Sequence, residues 1–186
     1  MSLVKVNNRF TSKDKVKQHY KKQWRKKNFR EILKKEGVFT RNSFNGKSVI
    51  KRKGVKIKNW KDLEKQINQH AVEIIVPAKN ISKSFVDIDI PKEKLKNKRS
   101  IIKDVVTHLK KQKIKVKSVT VSPNGGHIHT NNSKNILVSS LKNIEKQDKK
   151  FHVGKSSKKK IVLDPYEPNV AVPGSLSIKG KPYKEF

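Results

Sequence analysis

Two carboxylates occupy alternate positions in one short apolar stretch, residues 85–90 (FVDIDI). Side chains of a β-strand point alternately to its two faces, so Asp87 and Asp89 are expected to share a face. Carboxylates this close repel each other unless a cation lies between them. Hard divalent cations held by carboxylates are the usual machinery of phosphoryl transfer, so the pair indicates a site for two Mg²⁺ or Mn²⁺ ions. The alternative is an exposed strand face, or two salt bridges to lysines.

A third carboxylate, Asp164, ends another apolar stretch, residues 161–163, in a basic part of the chain. On a neighbouring strand it would complete a site for two metal ions with Asp87 and Asp89. The alternative is a structural role, in which the Asp164 side chain caps the turn at Pro165.

Residues 122–129 (SPNGGHIH) combine a glycine-containing turn with two histidines. Gly125 allows a backbone to approach a phosphate closely. His127 and His129 share a strand face, so a pair of metal ligands is the alternative interpretation. We favour phosphate binding because several donors converge here, with no cysteine or third histidine nearby. The donors that the turn offers are Ser122, Asn124 and His127.

A second turn of small residues, 173–177 (PGSLS), precedes Lys179 and Lys181. Small residues beside two cations suit a triphosphate or a template phosphate. An ordinary surface loop in a lysine-rich chain is the alternative.

Hydrophobic periodicity predicts the elements that must position these residues. Residues 1–35 are expected to be helical after a short lead, and Asn59 is expected to cap a helix over residues 60–70. An Asn-Gly pair at 45–46 predicts a hairpin turn. Further on, the pattern predicts strand 84–90, helix 100–109, strands 114–121 and 127–130, a weak helix at 136–144 and strand 161–164. The central βαβ unit indicates a mixed sheet with helices on one face.

The composition indicates a polyanionic partner. The 186 residues include 47 Lys and Arg but only 15 Asp and Glu, which gives a formal net charge of +32. The lysines are spread over the whole chain, and no apolar run reaches membrane-spanning length, which favours nucleic acid over a membrane surface. The absence of cysteine excludes disulfides and thiolate zinc sites, so no zinc is expected. No targeting segment opens the sequence, which favours an intracellular, cytoplasmic protein.

In order and spacing, these motifs resemble the archaeo-eukaryotic primase superfamily, and within it the small catalytic subunit of archaeal and eukaryotic DNA primases. The resemblance rests on Asp-Ile-Asp, Ser-x-x-Gly-x-His-Ile-His, a later Asp and Pro-Gly-Ser-Leu, at residues 87–89, 122–129, 164 and 173–176. Residues 20–24, 35–39 and 60–70 are also similar to segments of that family. The likeness spans roughly residues 15–180.

The resemblance implies an α+β fold with a primase-type catalytic core. That core is a mixed β-sheet with an RRM-like βαββαβ half and an N-terminal αβ half. We therefore expect a single domain over 1–186, with lobes at 1–80 and 81–186. The implied metal-binding and catalytic residues are Asp87, Asp89 and Asp164. The implied nucleotide-binding residues are Ser122, Asn124, Gly125, His127, Arg52, Lys179 and Lys181.

The chain also departs from the family pattern. Asn124 stands where the family has an arginine, which removes a positive charge from the phosphate site. Ser177 stands where a histidine usually follows Pro-Gly-Ser-Leu, and Lys179 and Lys181 are the candidates to compensate. Residues 129–164 lack both the helical insert and the Cys-rich zinc module of cellular primases.

The function expected from the resemblance is template-dependent nucleotidyl transfer, with short primers made on single-stranded DNA from nucleoside triphosphates. A large primase subunit is a further expected partner, and an archaeal, viral or plasmid-like origin is expected. Two alternatives stay open: a repair or gap-filling polymerase of the same superfamily, and a basic ribosomal or architectural protein without activity. Chain initiation without a primer separates the first alternative, and metal binding by the three aspartates separates the second.

Overall fold

The computed structural model describes residues 3–6, 9–35, 37–44, 47–50, 55–68, 73–177 and 181–186. The chain divides into two compact units. Unit 1 contains residues 1–80 and 169–183, and unit 2 contains residues 81–168 and 184–186. The expected lobes, 1–80 and 81–186, differ from these units in residues 169–183, because the last long loop of the chain returns to the sheet of unit 1.

Helices and strands alternate in both units. Unit 1 begins with β1 (Leu3–Val6), β2 (Arg9–Ser12), α1 (Lys13–Trp24), α2 (Lys27–Lys34), β3 (Phe39–Phe44), β4 (Lys47–Ile50), α3 (Trp60–Asn68) and β5 (Glu73–Pro77). Unit 2 follows with β6 (Ser84–Asp89), α4 (Lys98–Lys111), β7 (Val116–Val121), β8 (Gly125–Thr130), α5 (Lys134–Gln147), β9 (Phe151–Val153) and β10 (Ile161–Asp164). The chain then adds β11 (Asn169–Ala171) to unit 1 and β12 (Lys184–Glu185) to unit 2.

The first 35 residues differ from the expected helical segment. Residues 3–6 and 9–12 pair as antiparallel strands, and a break at residues 25–26 separates α1 from α2. Four-residue strands are too short to show a period of their own, so the expected lead before the helix carried no strand prediction. Within α1, Val16 and Tyr20 lie one turn apart and are both buried, as their spacing predicted.

Asn59 caps α3, as the sequence predicted. Its Oδ1 accepts a hydrogen bond from the Asp62 backbone N–H at 3.1 Å, and Asp62 Oδ2 accepts one from the Asn59 N–H at 3.2 Å. This reciprocal arrangement is a capping box, which satisfies two N–H groups that the first turn leaves without helical partners. The helix itself ends at Asn68.

Four strands form the sheet of unit 1 in the order β11-β5-β3-β4, and all neighbours are antiparallel. Phe44 pairs with Lys47 across β3 and β4. The Asn45-Gly46 turn predicted between them lies outside the described residues. Strand β11 pairs with β5 through Val170 and Val76, which places residues 169–183 in this unit.

Six strands form the sheet of unit 2 in the order β12-β7-β8-β6-β10-β9. Strands β9 and β10 are parallel and the other neighbours antiparallel, so the sheet is mixed. The order of β6, α4, β7, β8, α5 and β10 along the chain is the βαββαβ order expected for this half.

Helices α4 and α5 cover one face of this sheet. Val86 and Ile88 alternate with the aspartates of β6 and pack with Ile102 and Leu109 of α4 and with residues of α5. The core residues that α5 contributes are Leu137, Leu141 and Ile144. Each fully buried Ile or Leu contributes about 1.5–3 kcal/mol of transfer free energy, so the covered face fixes the alternation of β6. Asp87 and Asp89 therefore project from the opposite face.

Candidate functional site

A row of polar side chains crosses four neighbouring strands of unit 2. Asp164 on β10 pairs with Asp87 on β6, Asp87 pairs with His127 on β8, and His127 pairs with Thr120 on β7. Directly paired residues of neighbouring strands project to the same face of a sheet. Asp89, two residues along β6 from Asp87, lies on that face too. The three aspartates therefore share the face that α4 and α5 leave free.

Asp87 and His127 are in direct contact. The His127 Nε2 lies 3.3 Å from Asp87 Oδ1, and the imidazole is buried while the carboxylate is partly exposed. The Phe85 ring meets the His127 ring edge-on, with the centroids 6.4 Å apart. Strand pairing and this aromatic contact together orient the imidazole towards the carboxylate.

The pKa of the Asp89 carboxyl is raised by its surroundings, which include the neighbouring carboxylates. Partial burial against neighbouring strands raises the pKa of Asp89, and the negative charge of Asp87 raises it further. His127 lowers the pKa of Asp89, and Asp164 and Glu167 add smaller increases. Like charges that oppose ionisation at one place are the condition that a bound cation relieves.

Asp164 has the structural role that the sequence offered as an alternative. Its Oδ1 accepts a hydrogen bond of 2.7 Å from the Tyr166 backbone N–H, across the turn at Pro165. The side chain is only 7% exposed. Among the described residues, Asp164 Oδ2 has no hydrogen-bond partner. Capping the turn and presenting a second oxygen to the sheet face are therefore compatible.

The turn between β7 and β8 is held on two sides. The Ser122 N–H donates to the Gly125 carbonyl at 3.0 Å, and the Ile90 N–H donates to the Asn124 carbonyl at 2.9 Å. Lys98 in the first turn of α4 donates from Nζ to the Ser122 carbonyl at 2.7 Å, and to the carbonyl of the next residue at 3.2 Å. The backbone of the turn is thus fixed before any ligand binds.

Gly125 is required by the sheet itself. It pairs with Asp89, and a Cβ at this position would lie 1.6 Å from the Ile88 carbonyl oxygen. The sequence predicted this glycine from the close approach of a phosphate. The close approach in the structure is that of strand β6.

His129 differs from His127 in its surroundings. It is fully buried, and its ring stacks on Phe85 with the centroids 5.7 Å apart. The Ser82 hydroxyl donates to the Ser84 carbonyl at 2.9 Å, so it accepts from His129 Nδ1–H at 3.0 Å. Burial, with smaller contributions from His127 and Lys117, lowers the pKa of His129 to about 3. The imidazole is therefore neutral, with its proton on Nδ1.

His129 and Thr120, both on this face of the sheet, each bury a polar atom that has no hydrogen-bond partner within the described parts of the chain. The two atoms are Nε2 of His129 and the hydroxyl oxygen of Thr120, and both residues are fully buried. Sequence analysis named His129 only as an alternative metal ligand together with His127, and it did not name Thr120. The signal was available for Thr120, because it alternates in phase with Ser118 on β7 and so points to the polar face.

The turn of residues 173–177 belongs to unit 1 and is organised from within that unit. Ser175 accepts a hydrogen bond from the Ile74 N–H at 2.8 Å and contacts the Tyr20 hydroxyl at 3.0 Å. The Tyr20 oxygen also accepts from the Leu176 N–H at 3.1 Å. The Lys181 N–H donates to the Ser177 hydroxyl at 3.3 Å. Tyr20 thus fixes the turn that the sequence singled out.

The remaining expected nucleotide-binding residues fall into two groups. Lys181 lies in unit 1, whereas Ser122, Asn124, Gly125 and His127 lie in unit 2. Arg52 and Lys179 lie outside the described residues. Their roles on a nucleotide stay predictions.

The aspartates fit a divalent cation by chemistry and by register. All three are oxygen donors on adjacent strands, as Mg²⁺ and Mn²⁺ prefer. In the described part of the chain, no three acidic or histidine side chains are gathered closely enough to ligate one ion as they stand. Asp87 Oδ1 instead contacts His127 and Asp164 Oδ1 caps its turn. The second oxygen of each carboxylate is the one that remains for a metal.

No helix in the described ranges is both long and apolar enough to pass through a membrane. No protein-family model matches the chain, and no curated protein matches it. Among solved structures, the chain is similar to the polymerase domain of ligase D from Mycobacterium tuberculosis in complex with DNA. The TM-score is 0.66 at 14% sequence identity, over 92% of this chain and 79% of that chain. This likeness concerns the fold, and it confirms the predicted α+β class with a primase-type core.

Proposed function

We propose that this protein is a template-dependent nucleotidyltransferase of the primase type, which makes short primers on single-stranded DNA from nucleoside triphosphates. The observation that carries the proposal is the row of polar residues on unit 2. Asp87 and Asp89 come from β6, and Asp164 arrives from far along the chain onto the neighbouring strand, on the same face. The similarity of the fold to a polymerase domain supports the same class of reaction.

The three aspartates would hold two divalent ions in this proposal. Such ions, when bound, lower the pKa of an attacking 3′-hydroxyl and neutralise charge on the triphosphate. The protein's own contribution is to keep several negative oxygens together within a chain of net charge +32. Burial, and then the charge of Asp87, raise the pKa of Asp89, so a bound cation would favour its ionised form.

His127 and the turn before it would bind the phosphates. His127 already contacts Asp87, so one imidazole can link the carboxylates to a phosphate oxygen. Ser122 and Asn124 offer further hydrogen bonds from a turn that Lys98 holds in place. Asn124 carries no charge, and Arg52, Lys179 and Lys181 stay the sequence-predicted sources of positive charge for a triphosphate.

A charge-matched pair of variants tests the proposal. Asp87→Asn with Asp89→Asn keeps the side-chain shapes and removes two negative charges from the site. We expect nucleotide incorporation on a primed template with Mn²⁺ to fall by about 100-fold or more, because the electrostatic contribution to catalysis is lost. Binding of the single-stranded template, measured by fluorescence anisotropy, should persist. Glu93→Gln with Asp104→Asn changes the net charge equally outside the row and should keep its incorporation activity.

Retained incorporation in the Asp87/Asp89 variant would refute this assignment of the site. A titration with Mn²⁺ followed by electron paramagnetic resonance adds a readout that does not need catalysis. The wild-type protein and the Glu93/Asp104 control should bind Mn²⁺ more tightly than the Asp87/Asp89 variant. Equal binding in all three would favour the alternative of a basic nucleic-acid-binding protein without activity.

Extension of an existing primer, as in gap filling, is a second candidate function. The observation in its favour is that the similar solved structure is the polymerase domain of a ligase, in complex with DNA. The same assay without a primer separates the two functions, since only a primase starts a chain from two nucleotides. Initiation by the isolated chain would also show that no large subunit is required.

A further inference from the structure

Helix α5 presents several lysines on the side that faces away from the core. Two shallow cavities of about 340 and 370 Å³ lie along it, and Lys142 lines both. We call this region the α5 surface. Its defining residues are Lys134, Lys142, Lys146, Lys149, Lys160 and Tyr166.

The positive charge of the α5 surface is not neutralised locally. Glu145 is the one acidic residue lining the two cavities, and its Oε1 is already 3.0 Å from His152 Nδ1. Among the described residues, Lys142, Lys146 and Lys149 form no ion pair with an acidic side chain, and all three are exposed. Lys150, next along the chain, is by contrast paired with Asp148 at 3.0 Å. The positive charge of these lysines is therefore available to bind an anionic partner.

An exposed aromatic ring closes one end of the surface. Tyr166 is 42% exposed, and the Lys134 ammonium lies 5.1 Å from its ring centroid. Because Lys134 lies over one face of the ring, a nucleic-acid base would stack on the other face, while the lysines suit the phosphates. From Lys134 to Lys146 the helix runs about 18 Å, enough for several nucleotides of an extended strand.

The other polyanions fit this surface less well. A membrane-surface helix needs an apolar face to insert, but Leu137, Leu141 and Ile144 of α5 are buried in the core. Of the large apolar residues of α5, Ile136 is the one that is exposed. Duplex nucleic acid keeps its bases stacked inside, so it offers Tyr166 no free base face except at an end.

We infer that the α5 surface is a binding site for single-stranded nucleic acid, with phosphates along Lys142, Lys146 and Lys149 and a base on Tyr166. The inference rests on the proposed function for the kind of partner, and it adds where on the molecule that partner lies. Tyr166 follows Asp164 by two residues, and its backbone N–H is bonded to that carboxylate. Tyr166 therefore lies beside the end of β10 that carries Asp164, whereas α5 itself covers the sheet face opposite to the aspartates. The bound strand would thus reach the row only around this end of the sheet.

Two matched triple variants test the contribution of the lysines. Lys142→Gln, Lys146→Gln and Lys149→Gln are compared with Lys103→Gln, Lys110→Gln and Lys111→Gln, which are exposed on α4 of the same unit. Both sets remove three positive charges. For a labelled single-stranded oligonucleotide, we expect the α5 set to weaken binding by tenfold or more at low salt. The slope of log affinity against log salt should fall by about 2, for three lost phosphate contacts. The α4 set should bind nearly as wild type.

Variants at Tyr166 test the stacking. Tyr166→Leu keeps an apolar side chain without a ring face, and it should weaken single-strand binding by about fivefold or more while leaving duplex binding unchanged. Tyr166→Phe keeps the ring and should bind the single strand as tightly as the wild type does. Both substitutions preserve the backbone N–H that Asp164 accepts.

Three results would overturn the inference: equal weakening by the α4 and α5 sets, no effect of Tyr166→Leu, or a preference for anionic phosphatidylserine vesicles over the oligonucleotide. The proposed function fails separately. A wild-type protein that incorporates no nucleotide but loses oligonucleotide binding only in the α5 variants would keep this site and reject the polymerase. An α5 variant that incorporates nucleotides normally at saturating template would keep both.

Discussion

At the scale of single residues, the row on unit 2 brings together acidic side chains, which are rare in this chain. The chain has only 15 acidic residues, and three of them project from one face of adjacent strands. Lysines are abundant, yet Asp87 contacts His127, and Asp164 accepts a hydrogen bond from a backbone N–H. Carboxylates that served only to neutralise lysines would pair with them, as Asp148 does with Lys150. The pattern favours carboxylates kept for an added cation.

Gly125→Ala should destabilise the fold regardless of any ligand. The added Cβ would lie 1.6 Å from the Ile88 carbonyl oxygen, and that atom is part of the β6 backbone and cannot rotate away. We expect the free energy of unfolding in urea to fall by at least about 2 kcal/mol. Ser118→Ala on β7, a matched single-atom change, should alter it by less than about 0.5 kcal/mol. Equal stability of the two variants would contradict the close approach of the strands.

His129→Asn should make the protein less sensitive to mild acid. The pKa of His129 is about 3 in the folded state and 6.5 when exposed, so the unfolded chain takes up the proton first. Stability is therefore lost as pH falls from about 6.5 towards 3, and at pH 5 the loss from this residue is roughly 2 kcal/mol. Asparagine can still donate to Ser82 but cannot be protonated.

Urea unfolding of both proteins at pH 7 and pH 5 checks this expectation. Cavity formation should make the variant less stable at pH 7, while its loss between the two pH values should be smaller than that of the wild type by roughly 2 kcal/mol. The other titrating groups are common to both proteins and largely cancel in the comparison. Identical losses would show that His129 is already protonated near pH 6.

At the scale of elements, some of the positioning was predictable and some was not. The alternation of residues 85–90 correctly predicted strand β6. Helices α4 and α5 pack on its apolar face and bury Val86 and Ile88. Register between strands is decided by contacts distant in sequence, so spacing alone did not reveal that Asp164 pairs with Asp87. The apolar stretch before Asp164 did predict a strand next to the aspartate pair, and the resemblance to a family added support from the order of the motifs.

The unpredicted parts of the site come from outside the recognised motifs. Lys98 reaches the β7–β8 turn from α4, and Ser82 reaches His129 from before β6. Neither Lys98 nor Ser82 lies in a motif, so the sequence did not distinguish them from the many other lysines and serines of the chain. The assignment of residues 169–183 to unit 1 was missed for a similar reason, because three-residue strand β11 carries too little pattern to name its partner β5.

Tyr20→Phe should loosen the link between α1 and the turn of residues 173–177. The Tyr20 oxygen accepts from the Leu176 N–H and contacts Ser175, and all three residues are buried. Phenylalanine fills the same space but leaves the Leu176 N–H without that acceptor, which costs about 1–3 kcal/mol. Urea unfolding measures the change, with Tyr166→Phe on the surface as a control within about 0.5 kcal/mol. A neutral Tyr20→Phe would mean that the turn is held by its other contacts.

At the scale of the whole molecule, the charge opposes folding as strongly as it favours a polyanionic partner. A net charge of +32 on 186 residues makes the compact state repel itself, since the unfolded chain spreads the same charges further apart. Raising NaCl from 0.01 to 0.1 M shortens the screening length from about 30 to about 10 Å. We therefore expect the urea midpoint to rise with NaCl over this range.

A variant with Lys→Glu at residues 103, 110 and 111 of α4 has a net charge lower by six and should show a shallower rise with salt. A single-stranded oligonucleotide should raise the midpoint at low salt beyond what NaCl achieves, because it binds the folded state, and this gain should shrink as salt is added. A midpoint that stays flat or falls with NaCl would mean that the lysines are already neutralised within the fold. In that case the scarcity of acidic residues would no longer indicate a polyanionic partner. The charge of the α5 surface would then no longer support the binding of nucleic acid there.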